Sequence, residues 1–262
     1  MASSSAWMEL YQNNYDPASG LSTYYAEDSN FADDSTRQVL TFLVSVCSSG
    51  SVKGDTLIQY GGHIGLLFAA CDHFNEIFYA AFAESHIKAV RKWVQKESGA
   101  LDWSFPAKLA CELEGKRESW TGKEEMVRRK MTKILKCEGK AGCLVLPSLP
   151  TQVDGILVIH FLEMICTELD AFCKVLKDMA CQLKIGGHLL LNVLLGATFF
   201  MVGTFKFPVL CLDEEIVNRA VCDAGLVIKE SKKNLRANNS QFSVTDFSSV
   251  LCLSACKERN VQ

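Results

Sequence analysis

The sequence has no apolar run of the roughly 18 residues that a membrane-spanning helix needs. Its longest candidate, Gly187 to Val202, is interrupted by His188, Asn192 and Thr198. Met1 to Glu9 is polar and small, with no basic flank and no apolar centre, so no signal peptide is expected. Neither sign of charge is in large excess: 27 basic against 30 acidic residues give a net charge of −3. That argues against nonspecific nucleic-acid binding and against a polybasic membrane surface. There is no CxxC pair and no Cys/His group at zinc spacing, so no metal is expected. The chain also lacks a Gly-Lys-Ser/Thr phosphate loop, a G-x-G-x-x-G fingerprint, an internal repeat and a long low-complexity linker.

What remains is a chain of 262 residues, 48% hydrophobic and 22% charged, which can build a real core as one large α/β domain or two small ones. Twelve cysteines are scattered from Cys47 to Cys256, most inside apolar stretches such as Ala69-Ala70-Cys71. In such places free cysteine behaves as a small hydrophobe, and the expectation is a reducing, cytoplasmic compartment. Asn238-Asn239-Ser240 matches a glycosylation sequon, which means little without a secretory signal.

Apolar periodicity predicts a helix over Ser35 to Val46, preceded by an irregular segment rich in Tyr, Asp and Ser that has no core of its own and packs over something else. The polar stretch Ser45 to Gly54 then sets off residues 1–50, a cap, from residues 51–262, the main domain. From Asp55 onward strands and helices alternate. Thr56–Tyr60, Ile77–Phe82, Val153–Phe161, His188–Leu195, Leu226–Glu230 and Ser248–Ala255 read as strands. Leu66 to Cys71 starts a helix, and Glu84–Glu97, Lys123–Lys136, Leu169–Leu183 and Asp213–Ala224 read as helices. Lys184-Ile-Gly-Gly187 reads as a turn, and Glu112 and Glu114 are placed near a strand end. Such alternation implies right-handed crossovers and a parallel sheet, with ligands at the carboxyl ends of the strands. The turn Gly61-Gly62-His63-Ile64-Gly65 is therefore the place to look for a nucleotide-like cofactor.

A site of that kind needs glycines for close backbone approach, an acid after the first strand, and a second acid after the second strand for the ribose hydroxyls. Here Gln59 stands after the first strand, and Ala80-Ala81-Phe82-Ala83 after the second. A carboxylate on a ribose diol contributes roughly 1.5–3 kcal/mol, which alanine does not supply. His63 could serve as a base or an anion contact, although a loop histidine with a satisfied hydrogen bond is the commoner case. No hydrolase triad stands out and no cysteine has a nucleophile motif around it. The basic run Arg128-Arg129-Lys130 reads as one solvated face of an acid-rich helix.

Longer stretches carry a resemblance. They include Tyr15-Asp-Pro17 with Tyr24-Tyr25, Val52-Lys-Gly-Asp-Thr-Leu-Ile58, Arg91-Lys-Trp93, Leu101-Asp-Trp-Ser104 and Ala110-Cys-Glu-Leu-Glu-Gly115. Ile134-Leu-Lys-Cys137, Lys184-Ile-Gly-Gly-His188, Phe200-Met-Val-Gly203, Lys206-Phe207, Asp223-Ala-Gly225 and Ala237-Asn-Asn239 extend it. Through them the chain, from about Tyr11 to Lys257, resembles the small-molecule N-methyltransferases acting on nicotinamide, indolethylamine and phenylethanolamine, which are class I S-adenosylmethionine-dependent enzymes. The indolethylamine type looks slightly closer than the others. The resemblance implies a Rossmann-like α/β fold, with a mostly parallel seven-stranded sheet, helices on both faces and an N-terminal helical cap. It implies methyl transfer from S-adenosylmethionine to a small amine or pyridine nitrogen, by proximity, alignment and exclusion of water; a monomer is expected.

The same resemblance places Tyr25, Gly61, Gly62, Ala81, Phe82, His86 and Glu138 at the cofactor, and Asn192 and Phe200 at the substrate pocket. Most of these depart from the family. Its Asp-Ile-Gly-Ser-Gly-Pro becomes Gln59-Tyr60-Gly61-Gly62-His63-Ile64, and the segment to Ala70-Cys71 is two residues shorter. The ribose acid becomes Ala81, followed by Phe82; a polar contact becomes His86; and an adenine-facing aspartate becomes Glu138. An aspartate becomes Asn192, a tyrosine pair becomes Phe199-Phe200, and the cap tyrosine becomes Gly20. A framework that persists while its ligand-holding side chains are replaced suggests a degraded cofactor site and activity weak or lost. The alternative is a catalytically silent relative with a binding, structural or storage-like role and no cofactor.

Overall fold

The computed structural model describes residues 4–27, 29, 35–116, 119–140, 143–236 and 244–259. Ala237-Asn-Asn239 and the sequon lie outside the described residues. The chain opens with helices α1 (Ser4–Asn14) and α2 (Pro17–Tyr24), then α3 (Arg37–Ser48). Strand β1 (Gly54–Tyr60) is joined to β2 (Phe74–Ala81) through two short 3₁₀ turns, Gly65–Ala69 and Cys71–His73. Helices α4 (Glu84–Val94), α5 (Ser104–Leu113) and α6 (Trp120–Lys130) lead to β3 (Met131–Lys136). A small hairpin, β4 (Glu138–Lys140) and β5 (Cys143–Val145), precedes β6 (Val153–Ile159). Then come α7 (Leu162–Ile165), α8 (Leu169–Gln182), the long strand β7 (Leu183–Leu195) and a second hairpin, β8 (Phe199–Val202) and β9 (Phe205–Pro208). Helix α9 (Glu214–Asp223) and strands β10 (Val227–Leu235) and β11 (Ser249–Cys256) close the chain.

Seven strands form one sheet in the order β10-β11-β7-β6-β1-β2-β3. Strands β3, β2, β1, β6 and β7 pair in parallel, and only β11 runs against its neighbours β7 and β10. The centre is apolar because it is covered on both sides. Leu57, Ile58, Ile156, Val158 and Leu191 are all almost wholly buried, as expected where crossover helices flank a parallel sheet. One helical group, α3, α5 and α6, packs together; another is formed by α8 and α9. Seven of the described cysteines are buried, in keeping with a small-hydrophobe role. No helix among the described residues is long and apolar enough to cross a membrane.

Several local expectations are corrected. The helix expected over Lys123–Lys136 ends at Lys130, and the rest is β3, because Met131, Lys133 and Ile134 pair with Ile77, Phe78 and Tyr79 on the edge of β2. The periodicity there served a helix and then a strand. The helix expected from Leu66 is replaced by the two 3₁₀ turns, since residues 61–73 are all that join two parallel neighbours. Lys184 to Gly187 is not a free turn but the first part of β7, at a register irregularity against β6. Glu112 lies in α5 and Glu114 caps its end, so neither is near a strand end. Within the N-terminal segment expected to be irregular, Ser4–Asn14 and Pro17–Tyr24 are helical, as the helical cap implied by the resemblance requires. Asp16 caps α2 by accepting N–H bonds from Ala18 and Ser19, with Pro17 in the first turn.

Candidate functional site

The carboxyl ends of β1, β2 and β6 meet at one edge of the sheet, beside the point where the chain reverses its strand order between β1 and β6. This is the crevice in which open α/β folds hold ligands. Gly61 turns the backbone there at φ 141°, a conformation glycine adopts freely, and its N–H donates to Ala80 O at 3.1 Å. A Cβ on Gly61 would also stand 3.1 Å from Ile159 O, so β1 and β6 approach closely through it. Gln59, expected after the strand, lies inside β1, and its Nε2 donates to His63 O at 2.5 Å. Gly62 O accepts from the buried Tyr79 hydroxyl at 2.9 Å. These bonds hold the shortened loop down onto the strand ends.

Helices α1 and α2 cover this edge. Trp7 Nε1 donates to Met164 O at 3.1 Å, the Tyr24 hydroxyl to Met201 O at 2.7 Å, and Ser85 Oγ to Tyr15 O at 3.0 Å. Beneath the cover the rings interlock. The Tyr15 hydroxyl is 2.6 Å from His63 Nε2, and the Tyr15 ring centroid is 4.3 Å from that of His86. Tyr11 stacks on His86 at 6.1 Å, and Tyr25 lies 4.8 Å from His63. The His86 ring is directly over the loop: a Cβ on Gly62 would fall 2.2 Å from His86 Nε2. Between these rings and the sheet lies a residual cavity with about 30 Å³ open to the centre of a water molecule. Its walls include Tyr11, Tyr25, His63, His160, Met164 and Phe200.

The enclosure sets the charge state. Burial, with a smaller contribution from His160, pushes the His63 imidazole down to about 3. Burial, then His63, holds His86 well below the ordinary histidine range. Tyr11, Tyr15 and Tyr25 are raised above the ordinary phenol range, first by burial. The cluster is therefore neutral at pH 7. Glu163, fully buried in α7, accepts Leu194 N–H at 3.0 Å through Oε1 and lies 3.5 Å from His160 Nδ1, while its Oε2 has no partner. Among the described residues no cluster of His, Cys, Asp or Glu could hold a metal.

A family model described as the NNMT/PNMT/TEMT family matches residues 5–258. The chain belongs to this family. It is 34% identical to indolethylamine N-methyltransferase from Oryctolagus cuniculus over 226 residues, covering 84% of this chain and 85% of that protein. It is 31% identical to nicotinamide N-methyltransferase from Homo sapiens over 245 residues, covering 88% and 91%. The fold is that of class I S-adenosylmethionine-dependent methyltransferases. Magnesium protoporphyrin IX methyltransferase from Synechocystis PCC 6803, solved with bound S-adenosylmethionine, superposes with a TM-score of 0.56 over 98% of each chain at 11% identity.

Of the residues expected at the cofactor, Tyr25 and Gly62 line the cavity and Gly61 forms the turn beside it. His86 packs over the loop as described. Ala81 ends β2, wholly buried, with its carbonyl accepting from Cys137 N–H at 2.9 Å. Phe82 packs under α1, its ring 6.4 Å from Tyr11. Glu138 is exposed on β4. Of the two substrate-pocket residues, Phe200 lines the cavity and Asn192 does not. The Asn192 amide lies inside β7 and donates to Leu251 O at 3.2 Å and Cys252 Sγ at 3.3 Å, tying β7 to β11. Sequence reasoning missed Tyr11, His160 and Glu163. Tyr15 was visible only as part of the Tyr15-Asp-Pro17 cap motif. Lone residues on unrelated elements leave no spacing signal.

Proposed function

We propose that this chain is a family member whose methyl transfer from S-adenosylmethionine to a small amine or pyridine nitrogen is weak or lost, because its own side chains fill the cofactor cleft. The observation that supports this most is the contact of Tyr15, His63 and His86 over the Gly61-Gly62 turn. Ligand pockets for molecules of this size run to roughly 300–1,000 Å³, against the 30 Å³ that remains. The cofactor's ribose diol would face Ala81, which has no acceptor to offer, and Glu138 points to solvent. The residues present do not fit the cofactor in this arrangement. On this reading the chain is a cytoplasmic monomer with a binding role, its residues 1–50 serving as a cap on the 51–262 domain.

Purified protein titrated with S-adenosylmethionine and S-adenosylhomocysteine tests this by thermal unfolding. A ligand at 100 times its Kd stabilises by about 2.7 kcal/mol, a rise of roughly 5–10 °C in a chain of this size. No shift at millimolar ligand is expected. A clear shift at micromolar ligand overturns the proposal and returns the chain to the working enzymes.

Glu163 favours a second reading, in which the chain binds a small cationic amine without methylating it. Its unpartnered carboxylate oxygen is buried one layer behind the cavity wall, next to His160, and the wall itself carries the tyrosine rings that suit an ammonium group by cation–π attraction. A panel of small amines should then raise the melting temperature, and Glu163→Gln should remove the effect while still accepting the Leu194 N–H. Absence of any shift at millimolar amine refutes this reading.

A further inference from the structure

The ring cluster under α1 and α2 is neutral and has no counter-charge facing it. Both nitrogens of His86 are buried without a hydrogen-bond partner, and so is Nδ1 of His63. His63 retains some accessible surface, but it faces the small cavity. Around the two imidazoles, α1 and the end of α2 present the rings of Tyr11, Tyr15 and Tyr25. The segment before α5 presents Trp103, with its ring 5.5 Å from His63. The Asp16 carboxylate is spent on the α2 cap, where it takes Ser19 Oγ at 2.6 Å. Glu84, in the first turn of α4, is partly exposed and paired with Lys136 at 3.3 Å. The end of β6 presents His160, a third imidazole, and behind it Glu163, which already takes the Leu194 N–H. A proton added to His63 or His86 meets no free carboxylate at hydrogen-bond range, and a second proton meets the first, because the two rings stand only 5.4 Å apart.

We propose that His63 and His86 form an acid-released latch: α1 and α2 stay over the carboxyl edge of the sheet only while both imidazoles are uncharged. The Tyr15–His63 hydrogen bond is not the acid-sensitive part, since the hydroxyl can rotate to accept from an imidazolium. The enclosed charge is. Burial depresses both groups in the closed form, so closure is fully favoured above the ordinary histidine value of about 6.5. It weakens as pH falls from there, for His63 down to about 3. Once the open form is protonated and the closed form is not, each pH unit favours opening about tenfold per imidazole, or about a hundredfold for both.

Hydrogen exchange followed by mass spectrometry on the full chain between pH 7.5 and 4.5, corrected for the intrinsic pH dependence of exchange, reads this directly. Protection of residues 4–25 should fall steeply below pH 6.5 while β1 and β6 remain protected. His86→Leu, which fills the space without a titrating group, should halve the slope. Should that variant fail to fold, NMR titration of the imidazole C–H signals in the unaltered chain provides the second reading. His63 and His86 should stay neutral in the closed form and titrate only as the helices open. The proposal is overturned by flat protection over residues 4–25, by loss in step with β1 and β6, or by a slope that His86→Leu leaves unchanged. Early titration of both imidazoles with the helices still closed also overturns it. No ligand enters the test, so the latch and the proposed function stand or fall separately.

Discussion

Gly20 offers the sharpest single perturbation of the filled cleft. It lies within α2, where replacing glycine by alanine ordinarily gains roughly 0.5–1 kcal/mol. Here a Cβ would fall 2.5 Å from the Tyr15 hydroxyl and 3.0 Å from His63 Nε2. The end of a tyrosine can usually retreat, but this one is bonded to His63 and its ring is against His86. Relief costs the hydrogen bond, about 1 kcal/mol, and local overpacking of about 1–3 kcal/mol. Gly20→Ala should therefore destabilise the protein by about 1–3 kcal/mol, a fall of roughly 3–10 °C in melting temperature. Urea denaturation of Gly20→Ala, Tyr15→Phe and the double variant gives the cycle. Removing the hydroxyl removes the closest contact, so the alanine should cost less in the phenylalanine background, with a coupling of about 1 kcal/mol. The reasoning fails if Gly20→Ala stabilises by its full helix gain, or if it costs the same in both backgrounds.

Two further substitutions probe the surroundings. Ala81→Asp, which restores the family's ribose acid, buries a carboxylate with no partner at the end of β2 and should cost about 3 kcal/mol of stability. It should not by itself bring binding into the micromolar range, and isothermal calorimetry with S-adenosylhomocysteine checks that; a large rescue would show that the short loop is no obstacle. Lys123 is 4% exposed, bonded to Phe68 O at 3.0 Å and paired with Glu114 and with Asp72 at 3.2 Å. Lys123→Met leaves those carboxylates only the more exposed Lys116, at 3.7 and 3.8 Å, and should cost about 3 kcal/mol by denaturation, whereas adding Glu114→Gln should recover part of the loss.

Legibility in the sequence followed how local each signal was. Strands β1, β6 and β11 were plain as apolar runs, and α4, α8 and α9 as helical periods, because burial on both faces or along one face leaves its mark on consecutive residues. The boundary between α6 and β3 was not visible. Met131, Ile134 and Leu135 suit either element, and only the edge of β2 chooses. The segments containing α1 and α2 read as irregular because their residues face side chains from many elements and show no single apolar stripe. Their Asp16-Pro17 cap was the one local clue.

The candidate site divides the same way. Resemblance pointed to the glycine turn, to Tyr25, His86 and Phe200, and to the missing acid at Ala81. It could not show that the Asn192 amide meets Leu251 and Cys252 of β11, because that contact is set by the register between strands some sixty residues apart in the chain. By itself the sequence determined the family, the parallel sheet and the place of the crevice, since these rest on patterns carried by consecutive residues. Only the tertiary structure decided what lies in the crevice. Tyr11 and Tyr15, His63 and His86 come from three separate stretches of the chain, and no spacing along it records that their rings meet there.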